Sequence, residues 1–243
     1  MNIIIENLKE YVFDKVLNVV LSRKEYGYVS NKKINKKTVC NEFPCDNDIF
    51  FAYVILYLNH WICNKSNIIA ALLFKWINEQ TIYVKEENNK IYFIVNDVNI
   101  ISDRIEKELF ENIFSISNNG ILELPMFEQY VIDNSIYVSS MIKKMYINVM
   151  RFLQKRKFLY ETENNSSKKI NTMSDELYEL GQQLYGLKNY IDKFTNDSVI
   201  DEKMKLQYIC YACIFGNVSK IDKTIAKKIR KINIKNKIIK LEE

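Results

Sequence analysis

Between residues 66 and 95 the spacing of apolar residues switches from helical to strand-like. In SNIIAALLFKWINEQ, the residues Ile68, Ile69, Leu72, Leu73, Trp76 and Ile77 repeat at helical spacing, and Ser66 is placed to cap the helix. The next stretch, TIYVKEENNKIYFIV, holds two β-rich runs around ENN and predicts a hairpin. Upstream, Pro44 and the aspartates of PCDND set up the start of another helix, FFAYVILYLNH, which is strongly apolar. Helix, helix, hairpin is the element order of a winged helix.

That order appears again further on. DRIEKELFENIFS predicts a helix with Ile105, Leu109, Ile113 and Phe114 inward, and GILEL a short strand. Pro125 can open a short helix at its first position. SIYVSSMIKKMYINVMRFLQKR follows as a longer helix, with Met141, Met145, Val149 and Phe152 on one side, and KFLYETE as a terminal strand before NNSSKK breaks the pattern. With only 5 Gly and 2 Pro in 243 residues, helix should dominate. The expected fold is therefore mainly α with small β-hairpins, an α+β chain of tandem winged-helix-like modules closed by a C-terminal helical hairpin. Its expected divisions are an N-terminal helix and basic linker (1–37), a first module (38–100), a second (101–165), and a helical hairpin with a basic tail (166–243).

The hairpin rests on MSDELYELGQQLYGLKNYIDKFT, where Leu177, Leu180, Leu184, Leu187, Ile191 and Phe194 make one apolar stripe. Ser174 caps it, with Asp175 and Glu176 in the first turn. Its expected antiparallel partner is KMKLQYICYACIF, ended by Gly216. The N-terminal IIENLKEYVFDKVLNVVLSRK reads as one more helix, with Leu8, Val12, Val16, Val19 and Val20 inward.

Chemistry-bearing motifs are few. Cys210 and Cys213 form a CxxC inside YICYACIF, where large apolar neighbours favour buried core over an exposed redox pair. A zinc site would have to borrow Cys40 and Cys45. The only histidine, His60, gives no second member for a relay. No phosphate loop, nucleophile elbow, zinc-protease or paired-carboxylate pattern occurs, so no cofactor and no catalysis is expected.

Charge is concentrated in two places. Residues 220–243 hold nine Lys or Arg against three acids, including Lys227, Lys228, Arg230 and Lys231, and SRKEYGYVSNKKINKK covers 22–37. Such segments suit nucleic-acid phosphates or an anionic membrane surface, and equally a solvated tail. In a DNA-reading version of the first module the outward positions of 66–78 would be Asn67, Ala71, Phe74, Lys75 and Asn78. One lysine is a poor set for base and phosphate contact. The longest apolar run, 50–62, is too short to span hydrocarbon, and MNIIIENLKE lacks a basic leader. An intracellular, cytoplasmic chain is expected, soluble or peripheral to a membrane.

Three stretches carry a resemblance to a known family: NEFPCDNDIFFAYVILYLN, IIAALLFKWINEQTIYVKEENNK, and LGQQLYGLKNYIDKFT with LQYICYACIFGNVSKI. Together they cover roughly 38–222 and resemble the cytoplasmic part of the predicted membrane proteins of the domain-of-unknown-function 2207 family. Tyr185, Tyr190 and Phe194 stand near the family's aromatic positions, and Tyr208, Tyr211, Ala212 and Gly216 match its tyrosine–alanine–glycine run. The family's hydrophobic hairpin is replaced here by ENNSSKKINT. The resemblance implies a soluble relative, or the soluble portion of a larger system, with no catalytic residues to carry over. The leading expectation is a non-enzymatic protein-interaction module. The alternative is a winged-helix DNA-binding regulator, and an enzyme comes third.

Overall fold

A computed structural model describes residues 28–29, 35, 37–59, 67–88, 90–163, 169–193 and 202–216. The N-terminal helix, Ser66, His60, Phe194 and the basic residues Lys227, Lys228, Arg230 and Lys231 lie outside the described residues.

The most apolar helix is central. Helix α1 (Ile49–Leu58) starts where the Asp48 carboxylate accepts the Phe51 N–H at 2.9 Å. Its sequence IFFAYVILYL is apolar around the whole circumference, so it must be covered on every side. Ala52, Tyr53, Val54 and Ile55 have no exposed surface. Helix α2 (Asn67–Asn78) packs beside it and runs through a tight turn at Gln80, φ 61°, into strand β2 (Ile82–Glu87). Asn88, φ 51°, helps to turn the chain into β3 (Lys90–Val95), antiparallel from Ile82↔Val95 to Glu87↔Lys90.

Helix α3 (Arg104–Phe114) is capped by Asp103, whose carboxylate accepts from the N–H groups of Ile105 and Glu106 at 2.9 and 2.7 Å. Strand β4 (Ile121–Glu123) follows and pairs with β3 through Phe93↔Leu122, so this sheet runs β2–β3–β4 across position 100. Pro125 lies in the first turn of α4 (Leu124–Asp133), and α5 (Ser135–Lys155) buries Met141, Ile142, Met145, Tyr146, Met150 and Leu153.

Two features depart from the sequence reading. Residues 169–173, where the sequence reading has no strand, form strand β6 (Lys169–Met173), antiparallel to β5 (Leu159–Glu163). A two-residue strand β1 (Tyr28–Val29) adds to β6 in parallel. This second sheet thus draws strands from three of the expected segments. Secondly, α6 (Asp175–Asp192) and α7 (Glu202–Phe215) touch, but α7 packs far more extensively on α2. Small buried residues on both helices, Ala71 on one and Cys210, Ala212 and Cys213 on the other, permit close backbone approach. The remaining caps fall where the sequence puts them. Ser174 Oγ accepts the Leu177 N–H at 3.2 Å, and Gly216 ends α7 at φ 72°. A single apolar cluster extends from Cys45 to Phe215.

Candidate functional site

The apolar stripe of α6 faces this core, with Leu177, Leu184, Leu187 and Ile191 fully buried. A second stripe on the same helix, Gln182, Gly186 and Asn189, follows the same i, i+4, i+7 spacing but is polar. It is covered by an extended arm, the described residues 35 and 37–44.

The arm is held largely through its main chain. Gln182 Oε1 accepts the Asn35 N–H at 2.7 Å, and its Nε2 donates to the Asn35 carbonyl at 3.1 Å and to Thr38 Oγ1 at 3.3 Å. The Tyr178 hydroxyl also donates to Gln182 Oε1, at 3.1 Å, which fixes the amide's orientation. Asn189 Nδ2 donates to the Thr38 carbonyl at 2.8 Å. At Gly186 the arm comes so close that a Cβ would stand 2.9 Å from Cys40 Cβ and 3.0 Å from the Cys40 nitrogen. Glycine is the residue that leaves room for a second backbone here.

Helix α7 completes the seat. The Tyr208 hydroxyl donates to the Asn41 carbonyl at 3.3 Å and that of Tyr211 to the Pro44 carbonyl at 2.6 Å. The Phe43 ring packs on both, its centroid 4.6 Å from that of Tyr208 and 5.4 Å from that of Tyr211. Tyr190 adds a ring 6.0 Å from Tyr208. Burial pushes the Tyr208 pKa up to about 12 and that of Tyr211 higher still, the latter helped by Cys45 and Asp48. Both hydroxyls act as donors to main-chain carbonyls. Pro44 is extended, φ −72° and ψ 171°, so the bound stretch Asn41–Pro44 offers carbonyls and one aromatic side chain to a tyrosine-lined groove.

Just past Pro44 the backbone is strained. Cys45, Asp46 and Asn47 have φ of 66°, 50° and 64°, three successive non-glycine residues in the left-handed region. Such a residue costs about 1–2 kcal/mol, less for Asp and Asn. The turn reverses the chain from the arm into α1, and Asp48 N–H closes it on the Cys45 carbonyl at 2.8 Å.

Of the residues singled out in the sequence, Tyr190, Tyr208 and Tyr211 come together here. Tyr185 is half-buried on α6, and Gly216 lies at the far end of α7. Lys75 sits elsewhere: its ammonium meets Glu106 at 2.7 and 2.8 Å, and Trp76 Nε1 donates to the same carboxylate at 2.9 Å. Glu106 is only 3 % exposed. Burial opposes the ammonium, but Glu106 and then Glu79 outweigh it and raise the Lys75 pKa. Ala71 and Phe74, expected on an outward face, are buried. The reason is that α2 is packed both on the core beside it and on α7. Cys45, Cys210 and Cys213 are buried thiols, and desolvation raises the pKa of Cys45 and Cys210, away from reactive thiolate. Among the described residues no group of three or more His, Cys, Asp or Glu is arranged to hold a metal.

Glu79 gives a pH test of the Lys75 cluster. Burial raises its pKa, Lys75 opposes this, and Glu106 and Asp48 add to it. A carboxyl whose folded pKa is raised contributes stability below its unfolded pKa and loses that contribution as pH rises through the folded value. Glu79→Gln is therefore expected to be more stable than the parent at about pH 7, by at most ~0.5 kcal/mol given its exposure, and no more stable at about pH 3. Urea unfolding at the two pH values measures the difference.

Phe43, Pro44, Gln182, Gly186 and Asn189 were not recognised as a site from sequence, although the polar stripe with a central glycine was a readable signal. Compared with known proteins, the chain matches no protein-family model, no curated protein and no solved structure.

Proposed function

We propose that this chain is a non-enzymatic, intracellular protein-interaction module whose α6–α7 groove binds extended peptide segments carrying an aromatic–proline pair. What carries the reading is the arm itself, held in that groove by side chains that address main-chain carbonyls and N–H groups. Binding through backbone groups, with one aromatic anchor for selectivity, is how extended peptides are recognised. A cytoplasmic location belongs to the same proposal, and among the described residues no helix is long and apolar enough to cross a membrane. So does kinship with the cytoplasmic region of the domain-of-unknown-function 2207 family, which rests on the three quoted stretches.

The winged-helix description is likewise a proposal. Its support is the order α1, α2, β2, β3 in the first unit and α3, β4, α4, α5, β5 in the second. With α2 buried and Lys75 paired to Glu106, such units suit protein packing better than base reading. Nucleic-acid or anionic-membrane binding keeps one specific argument, the nine Lys or Arg among residues 220–243.

The test uses the full chain carrying Phe43→Ala, which loosens its own arm, and a dye-labelled peptide NKKTVCNEFPCDND. Saturable binding by fluorescence anisotropy is expected. Adding Tyr208→Phe and Tyr211→Phe removes two hydrogen bonds worth about 1 kcal/mol each and should weaken binding about thirtyfold. Absence of saturable binding to the Phe43→Ala chain refutes the groove reading. Salt-steep binding of duplex DNA in its place favours the nucleic-acid alternative.

A further inference from the structure

We infer that the arm can be exchanged between two copies of the chain, each seating its residues 35 and 37–44 in the other's α6–α7 groove, with residues 45–47 as the hinge. The inference deepens the groove reading and rests on it. The arm's bonds run to residues far along the sequence, 147 apart for Asn35 with Gln182 and 167 for Pro44 with Tyr211. None of them depends on the arm and groove belonging to the same copy. In a reciprocal dimer every such bond is kept, and β1 can pair with the partner's β6 in the register Tyr28↔Asn171. Only the hinge differs between the two forms.

The hinge favours exchange. In the closed monomer Cys45, Asp46 and Asn47 hold left-handed φ values with no glycine among them. These three residues form the turn between the arm and α1, closed by the Asp48 N–H on the Cys45 carbonyl at 2.8 Å. Opening it returns all three to ordinary backbone, and strained hinge loops invite such swapping. The segment whose side chains and carbonyls fit the vacated groove is the same arm of another copy. The result is a two-fold dimer in which each groove is completed by the partner's Phe43 and Pro44. Closure within one copy wins at low concentration, so the monomer–dimer balance follows concentration.

Asp46 is exposed, which makes it the position to test. Proline cannot adopt its φ of 50°, whereas glycine adopts it without strain. In the full chain, Asp46→Pro is expected to form a dimer by light scattering, with a dissociation constant at least about tenfold below that of Asp46→Gly. Adding Gly186→Leu, which closes the groove, should return Asp46→Pro to monomer. A dimer that survives Gly186→Leu uses another surface and overturns the inference, as does a folded Asp46→Pro chain that stays monomeric at every concentration. If Asp46→Pro does not fold, a mixture decides. Phe43→Ala keeps an intact groove and Gly186→Leu an intact arm, so each alone should be monomeric and the two together should form a one-to-one dimer. No dimer in the mixture overturns exchange. Peptide binding to the Phe43→Ala chain that persists in that case shows that exchange has failed and the groove reading has not.

Discussion

Glu106→Ala is expected to destabilise the fold by about 3 kcal/mol, read as a lower urea midpoint with an unchanged slope. The carboxylate is almost fully buried and takes two bonds from Lys75 and one from Trp76. Removing it leaves the buried indole N–H without its acceptor and the ammonium with only the more distant Glu79 carboxylate, at 4.0 Å. The lower end of the range for breaking a buried pair applies, because the Lys75 side chain is 20 % exposed and can reach water. The double variant Lys75→Met with Glu106→Gln separates charge from packing. Its glutamine can still accept the Trp76 N–H, and the one charge left without its partner is the Glu79 carboxylate, which at 37 % exposure is open to water. That chain should recover most of the lost stability; if it is as unstable as Glu106→Ala, the ion pair is not the cause.

Gly186→Leu should have an effect of similar size by a different route. A side chain at 186 meets the main chain of Cys40, which cannot swing aside as a flexible side chain can. Either α6 shifts or the arm leaves, taking Phe43 out of its aromatic seat and the bonds to Gln182, Asn189, Tyr208 and Tyr211 with it. A loss of about 3 kcal/mol is expected, together with faster tryptic cleavage at Lys37. Gly181→Ala is the control. The atoms nearest its Cβ belong to the Asn59 amide, from 3.0 Å, so it should cost about 1 kcal/mol without speeding cleavage at Lys37.

Elements whose instructions are local were legible in the sequence. Asp48, Ser174, Pro125 and Gly216 mark helix ends where the structure has them, because a cap is decided within one turn. The β2–β3 hairpin was visible from its two β-rich runs around ENN. Strand β6 was not, since KINTM has little strand character of its own and is held by its neighbours on both sides. Its Thr172 hydroxyl meets that of Thr162 at 2.7 Å, a contact no periodicity reveals. Glu106 sits three residues after the cap Asp103, a spacing that suggests a role at the helix start. It turns instead to Lys75, 31 positions back in the chain. The groove failed to appear for the same reason. Tyr208 and Tyr211 read as packing residues, and their hydroxyl partners lie 167 residues upstream.

That separation also governs how the molecule is made. Phe43 and Pro44 leave the ribosome well before their seat, which is not synthesised until Tyr208 and Tyr211 follow. At about 5–20 residues per second the interval is on the order of ten to thirty seconds. Throughout it the nascent chain carries an apolar hook with no place to lodge. The arm can therefore dock only once α7 has emerged, and closing the groove is a late step of folding.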